Sequence, residues 1–335
     1  MRNIVLSWPL GDVRAFFEDD LRIPLKDEPS GKVFPKSDRS RDVVEALLDA
    51  LRRSGATLRA PCRIVRITRR GAGGFRLTES GGERLDCRRI VLATGGLSLP
   101  KSGSDGTGLQ MALALGHGCV PTYPALVPLL SSDATFRALS GVSARARITV
   151  KRRGTKVDEA EGGLLFTHRG FSGPVILDLS HYVTCGGDVA LLVQWGGSEV
   201  GDWDAAFRQG GRGTIVSVVR RYLPIRLATM LIERAGIEPL DRISELTQQG
   251  RRRLVEVLGW FHLPVVGSEG YAKAEVTGGG IPLSEISPGT LESRVVAGLH
   301  FCGEIIDVTG RLGGYNFLWA WVTGRKVGHA LAAGS

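Results

Sequence analysis

Residues 298–328, GLHFCGEIIDVTGRLGGYNFLWAWVTGRKVG, constrain the fold more than any other stretch. Leu299 to Cys302 is a short apolar run closed by Gly303, which reads as a buried parallel strand whose end approaches another group closely. That strand delivers Gly303, Glu304 and Asp307 to the carboxyl edge of a sheet. The glycine-rich turn Gly310-Arg311-Leu312-Gly313-Gly314 follows, then Tyr315 to Val327, where Phe317, Leu318, Trp321 and Val322 recur at helical spacing.

A turn without side chains lets a ligand lie against the amides that begin the helix, where unpaired N–H groups and the macrodipole favour negative charge. A phosphate fits there, and so does an electron-rich ring that becomes anionic on reduction. Asp307 is the type of group that accepts hydrogen bonds from sugar-like hydroxyls. Together these suit a flavin, with the carboxylate on the ribityl chain and Tyr315, Asn316 and Phe317 opening the helix toward the ring. The alternative is a tight strand-to-helix connection in which Gly313 and Gly314 only permit close packing.

The same stretch resembles the C-terminal flavin-binding signature of the bacterial BaiN/YhiN-type NAD(P)/FAD-dependent oxidoreductases, the aminoacetone oxidase-like flavoproteins. Three further stretches are similar to that family in the same order: GKVFPKSDRSRDVVEAL from Gly31, ATGGLSLPKSGSDGTGLQMALALGH through PALVPL from Ala93, and LLFTHRGFSGPVIL from Leu164. EVTGGGIPLSEI leads into the last signature. The resemblance implies an α/β fold, a two-dinucleotide-binding Rossmann-like domain with an inserted β-rich and helical subdomain. It implies FAD as cofactor, with NAD(P)H as electron donor. It also implies that Ala93, Thr94 and Gly95 line the cofactor and that Val65 lends its backbone to the adenine.

In such proteins the ADP half of FAD rests on a βαβ unit with G-x-G-x-x-G. GKVFPKSD is a stretch that in relatives follows this unit, and nothing before it here matches, so the expectation is an incomplete domain lacking the N-terminal unit. Gly278-Gly279-Gly280 is no substitute, because Ile281-Pro282 follows rather than a helix. The expected organisation is residues 1–124 and 275–335 as a discontinuous FAD-binding domain, 125–200 as a β-rich insert and 201–274 as a helical insert.

Composition bounds the remaining possibilities. With 335 residues, 43% apolar and 23% charged, the chain has the profile of a folded globular protein. Its formal charge of +9 comes from scattered arginines with no block long enough for a nucleic-acid arm. The expectation is therefore a small-molecule substrate, with neither nucleic acid nor membrane as partner. Cys62, Cys87, Cys119, Cys185 and Cys302 lack any C-x-x-C spacing and read as buried thiols of a cytoplasmic protein, and no metal site is expected.

Along the chain, a brief helix is expected over Asp12 to Asp20 and an amphipathic helix over Ser37 to Arg53, ended by Gly55. Three strands over residues 64–68, 75–78 and 83–87 form a meander, and Ile90 to Ala93 reads as a buried strand. A helix over Leu109 to Leu115 follows. In the insert, strands are expected over 142–150, 164–166, 175–179 and 189–195, then helices over 205–259.

Within FTHRGFSGP, His168 either exchanges a proton with substrate or caps the turn beside Gly170, and the turn weighs more on general grounds. Arg169 pairs with an anionic substrate or stays solvated, and Tyr315 completes the candidate catalytic set. The function that follows is hydride transfer to or from a small molecule through FAD. The alternative is a truncated, non-catalytic remnant acting as a binding module.

Overall fold

The computed structural model describes residues 1–28, 31–71, 73–211 and 213–333. They fall into two units, Met1–Thr122 with Val276–Ser335, and Tyr123–Glu275.

In the first unit, Leu299–Phe301 pairs in parallel with Ile90–Leu92, so the apolar run before Gly303 is a strand, and all three of its residues are buried. The partner strand is less enclosed than its sequence suggests. It ends at Leu92, Val91 is 37% exposed, and among the described residues no further strand pairs with its other edge. The antiparallel meander is Ile64–Arg69, Phe75–Glu79 and Arg84–Cys87. The helix Tyr315–Ala333 buries Trp319, Val322, Thr323 and Val327, a stripe at helical spacing that packs with Phe301, Ile305 and Ile306 in the core. Near the N-terminus, the helix Leu10–Ala15 continues into a π-helical turn over Phe16–Asp20.

Ser40–Arg53 is helical and Gly55 follows it at φ +77°, the left-handed conformation that terminates helices. Its apolar stripe is only half covered. Val43, Leu47 and Ala50 lean on the core, none of its residues is buried, and Val44 is 54% exposed.

The second unit is built on a seven-stranded antiparallel sheet ordered Phe261–His262, Val189–Trp195, Ser143–Arg152, Thr155–Phe166, Gly170–Ser172, Leu129–Ser131 and Val265–Ser268. Arg153 and Gly154, both at positive φ, make the two-residue turn that joins the two longest strands. Ala144, Ala146, Ile148 and Val150 alternate inward. Arg145 and Arg147 alternate outward and share the carboxylate of Glu161 on the neighbouring strand.

One expected strand is a helix. Residues 175–179 lie in Pro174–Thr184, which starts with proline at its first position after Gly173 and buries Val175, Ile176, Leu179 and Ser180 on one face. Beyond the sheet, the helices Trp203–Gln209, Ile215–Val219, Ile225–Arg234 and Gln248–Gly259 bury Ile215, Val219, Leu227, Leu231, Leu254 and Leu258 in the same core as Phe136, Phe166, Phe171 and Trp195.

The cysteines are also less buried than expected. Cys302 is buried, Cys185 is exposed and the other three are intermediate. Burial pushes the Cys302 thiol up to about 11, which keeps it protonated and inert.

Candidate functional site

Three segments of the first unit meet where Leu299–Phe301 ends: the turn Gly303–Ile305, the strand Val276–Gly280 and the loop after Leu92. Thr277 joins them. Its hydroxyl oxygen accepts from the amides of Leu97 at 2.7 Å and Ser98 at 3.0 Å, and its own amide donates to Glu304 Oε1 at 3.0 Å. The Thr277 hydroxyl also bonds the Glu304 carboxylate, and these bonds oppose the larger effect of burial, which raises the Glu304 pKa. Gly96 must be glycine for this closure, since a Cβ there would lie 2.5 Å from the Thr277 Cβ and 2.8 Å from Glu304 Oε1.

The helix Tyr315–Ala333 is tied to the strand end by its own side chains. Trp319 Nε1 donates to the Gly303 carbonyl at 3.0 Å, and the Gly303 amide donates to Thr323 Oγ1 at 2.9 Å. The preceding turn is closed by Asn316, whose amide group accepts from the Gly310 N–H at 2.8 Å and donates to the Gly310 carbonyl at 3.1 Å. Asn316 is thereby committed to shaping the turn. Gly314, at φ +87°, has nothing within 4 Å of where a Cβ would stand, so one face of the turn is open. Tyr315 and Phe317, on the first helical turn, are 58% and 70% exposed.

Beside this turn, Asp307 is half-buried. Its pKa is raised by burial, against the pull of a hydrogen bond from the Gly279 amide. Two residues on, Thr309 Oγ1 is buried and has no hydrogen-bond partner. A buried hydroxyl without a partner costs roughly 1–3 kcal/mol, so Thr309 has an unused hydrogen-bonding atom to offer a ligand at this turn. Asp307, Thr309, the open Gly314 and the unpaired amides of the first helical turn are the residues that can hold a polyol-bearing planar ring.

The remaining expected residues lie on the meander, in the loop after Leu92 or in the other unit. Val65 is 47% exposed on the meander. Ala93 and Thr94 are exposed and Gly95 is half-buried just past the strand, with the Thr94 side chain so close to Gly108 that no Cβ would fit there. His168 and Arg169 lie in the second unit, whereas Tyr315 lies in the first. The turn at His168 is capped by Thr167, whose Oγ1 accepts from the amides of Arg169 and Gly170. His168 itself is exposed, and Arg169 is paired with Glu269 at 2.9 Å.

Sequence reasoning missed Thr277, Thr309 and Thr323, and also a buried line of polar groups beneath the strand. His117 bonds Glu285 Oε2 through Nδ1 at 2.6 Å and Ser293 Oγ through Nε2 at 2.7 Å. Ser293 Oγ already accepts from the amides of Val295 and Val296, so its hydrogen goes to Nε2 and the imidazole proton sits on Nδ1, facing Glu285. The order of groups is that of a hydrolase triad, but Ser293 is 7% exposed and its lone pairs are taken. It is a brace. Among the described residues, no group of three or more His, Cys, Asp or Glu side chains is placed to hold a metal ion, and no helix is long and apolar enough to cross a membrane.

Comparison with known proteins places these features in a family. The sequence model described as "HI0933-like protein Rossmann domain" matches residues 2–330. The chain is 33% identical over 290 residues to an Escherichia coli protein named ribosomal RNA dihydrouridine synthase, covering 85% of this chain and 70% of that protein. It is 37% identical over 239 residues to a Haemophilus influenzae protein of the same name, covering 70% of this chain and 58% of that one. It is 29% identical over 340 residues to the 3-dehydro-bile acid delta(4,6)-reductase of Clostridium scindens, covering 99% of this chain and 82% of that enzyme. The family resemblance carried by the four motifs and the match over residues 2–330 agree: the chain is an α/β protein that belongs to the HI0933-like Rossmann-domain family.

Proposed function

We propose that this protein is a flavin-dependent reductase that adds hydrogen across a carbon–carbon double bond conjugated to a carbonyl, and that its substrate is a uridine of ribosomal RNA. The observation that carries the flavin is the unpartnered Thr309 hydroxyl beside Asp307, at the open turn before Tyr315–Ala333. The chemistry of the relatives' names supports the reaction. Dihydrouridine is uridine with its ring double bond saturated, and a delta(4,6)-reductase of a 3-dehydro-bile acid likewise saturates a double bond in conjugation with a ketone.

A bound flavin supplies the hydride, drawn in turn from NAD(P)H. The chain's residues bind and orient. Asp307 and Thr309 hold hydroxyls, and the amides at Tyr315, Asn316 and Phe317 favour the negative charge of a reduced ring. In this reading Tyr315, exposed at the helix start, gives the proton to the substrate. Arg169 is neutralised by Glu269, so His168 is the freer group of its loop.

The test is to incubate the protein with FAD, NADH or NADPH and protein-free ribosomal RNA, then digest the RNA to nucleosides and weigh them. Uridine gaining the mass of two hydrogens, only when FAD and the nicotinamide are both present, is the expected result. A second reading, a small conjugated ketone as substrate, is favoured by the alignment of the Clostridium scindens reductase over 99% of the chain. It prevails if RNA stays unmodified while a 3-keto-4-ene steroid is reduced.

A further inference from the structure

The second unit carries a cleft of about 400 Å³ between the helices Trp203–Gln209 and Gln248–Gly259, which the flavin-site residues do not enter. It is lined by Arg208, Arg251 and Arg252, by Gln248 and Glu256, and by Trp260 just past the end of the second helix. Trp260 is 62% exposed, an unusual position for the largest apolar side chain, and one that a binding surface explains. Asp204 spends its charge on two arginines, bonding Arg208 at 2.7 Å and Arg251 at 3.0 Å. This holds both guanidinium groups at the cleft wall. Arg252 is exposed and forms no ion pair among the described residues.

An exposed indole with arginines around it matches an unpaired nucleotide. Bases stack on aromatic rings whatever their sequence, and guanidinium groups meet the phosphates on either side. Gln248 and Glu256 add what a base edge needs. An amide and a carboxylate offer acceptors to a ring N–H or exocyclic amino group, which apolar and purely anionic ligands lack.

We infer that this cleft seats an unpaired nucleotide of the RNA substrate, stacked on Trp260 with its flanking phosphates on Arg208 and Arg252. The inference rests on the RNA reading of the function and extends it to the part of the molecule that grips the substrate outside the flavin site.

The experiment measures dihydrouridine formation in ribosomal RNA by the wild-type protein and by Trp260→Ala, Trp260→Phe and Arg252→Glu, with flavin affinity and thermal unfolding recorded for each. Losing one stacking platform raises KM for RNA by about tenfold in Trp260→Ala and leaves kcat and flavin affinity unchanged. Trp260→Phe, which keeps a ring, recovers most of the loss. Arg252→Glu raises KM and lowers the slope of RNA affinity against salt by about one unit, because one phosphate contact is gone. Wild-type KM in Trp260→Ala together with an unchanged salt slope in Arg252→Glu overturns the inference while leaving the RNA reading standing. A wild-type protein that modifies no RNA overturns that reading, and the inference falls with it.

Discussion

The two units are packed in different ways. In the second, Phe136, Phe166, Phe171, Trp195 and Phe261 meet at ring distances of 5.3 to 6.4 Å, and the polar face of the sheet is closed by Arg145, Arg147 and Glu161. The first has a two-stranded parallel pairing, a half-covered helix at Ser40–Arg53, and an unpartnered Thr309 hydroxyl close in sequence to a turn followed by the exposed Tyr315 and Phe317. Parallel sheets are ordinarily covered on both faces. Buried polar atoms without a partner occur in both units, Arg152 Nε and Trp195 Nε1 in the second and Thr309 Oγ1 in the first. The difference therefore lies in the packing: aromatic rings fill the second core, and the first leaves an open turn beside Thr309.

The largest effect that would break this contrast is in the second unit. Trp195 is fully buried, and Trp195→Ala is expected to cost about 3–5 kcal/mol, read as a lower urea midpoint. Trp195→Phe sharpens the point. The indole Nε1 is buried without a partner, so removing it while keeping a ring should cost less than about 1.5 kcal/mol. Equal losses in the two variants would mean that packing does not dominate there.

Thr277→Val tests the polar closure of the first unit. It keeps the shape but leaves the amides of Leu97 and Ser98 and the buried Glu304 without their hydroxyl, at an expected cost of about 1–3 kcal/mol. Thr277→Ser, which retains the hydroxyl, should lose less. Identical stability of the valine variant and the wild type would show that the three segments are held by something else.

The smallest effect is a pH dependence of the second unit. Hydrogen bonding to the Ser198 hydroxyl and amide and to Arg145 and Arg147, opposed by burial, lowers the Glu161 pKa from 4.5 to about 2. A depressed carboxylate pKa means that the folded state binds fewer protons. Its stabilisation is fully present above pH 4.5 and is lost as pH falls through about 2. Glu161→Gln should flatten the acid limb of the stability profile in that window and leave the neutral limb's shape alone. An unchanged acid limb would assign it to other carboxylates.

Much of the fold could be read from periodicity and punctuation. The strand, turn and helix of residues 299–327 and the meander follow from apolar spacing and from glycines that end elements. Residues 175–179 have the pattern of a strand because Val175, Ile176 and Leu177 form an apolar run opened by two β-branched residues. The proline at the first helical position and burial of Val175, Ile176 and Leu179 on one face decided otherwise. The strand expected over 164–166 is the end of a longer one, Thr155–Phe166, whose outer half carries Lys156, Asp158, Glu159 and Glu161 and so lacks an apolar run. Arg153-Gly154 also lacks the asparagine or aspartate that signals such a turn. Within the candidate site, Asp307 and the glycine turn are local in sequence, and a local pattern is enough to single them out. The Thr277–Glu304 link and the Ser293–His117–Glu285 brace join residues far apart in the chain, and no local pattern reports them.

The measurement closest to the central claim is a titration of FAD into the protein, followed by flavin fluorescence, for the wild type and Asp307→Ala. The expected result is saturable quenching by the wild type and an affinity weakened by about 1–3 kcal/mol, or roughly 5- to 150-fold, in the variant, because polar atoms of the ligand lose a buried partner. Equal affinities, or no saturable quenching by the wild type, would contradict the claim that the turn between Asp307 and Tyr315 is built to hold a flavin.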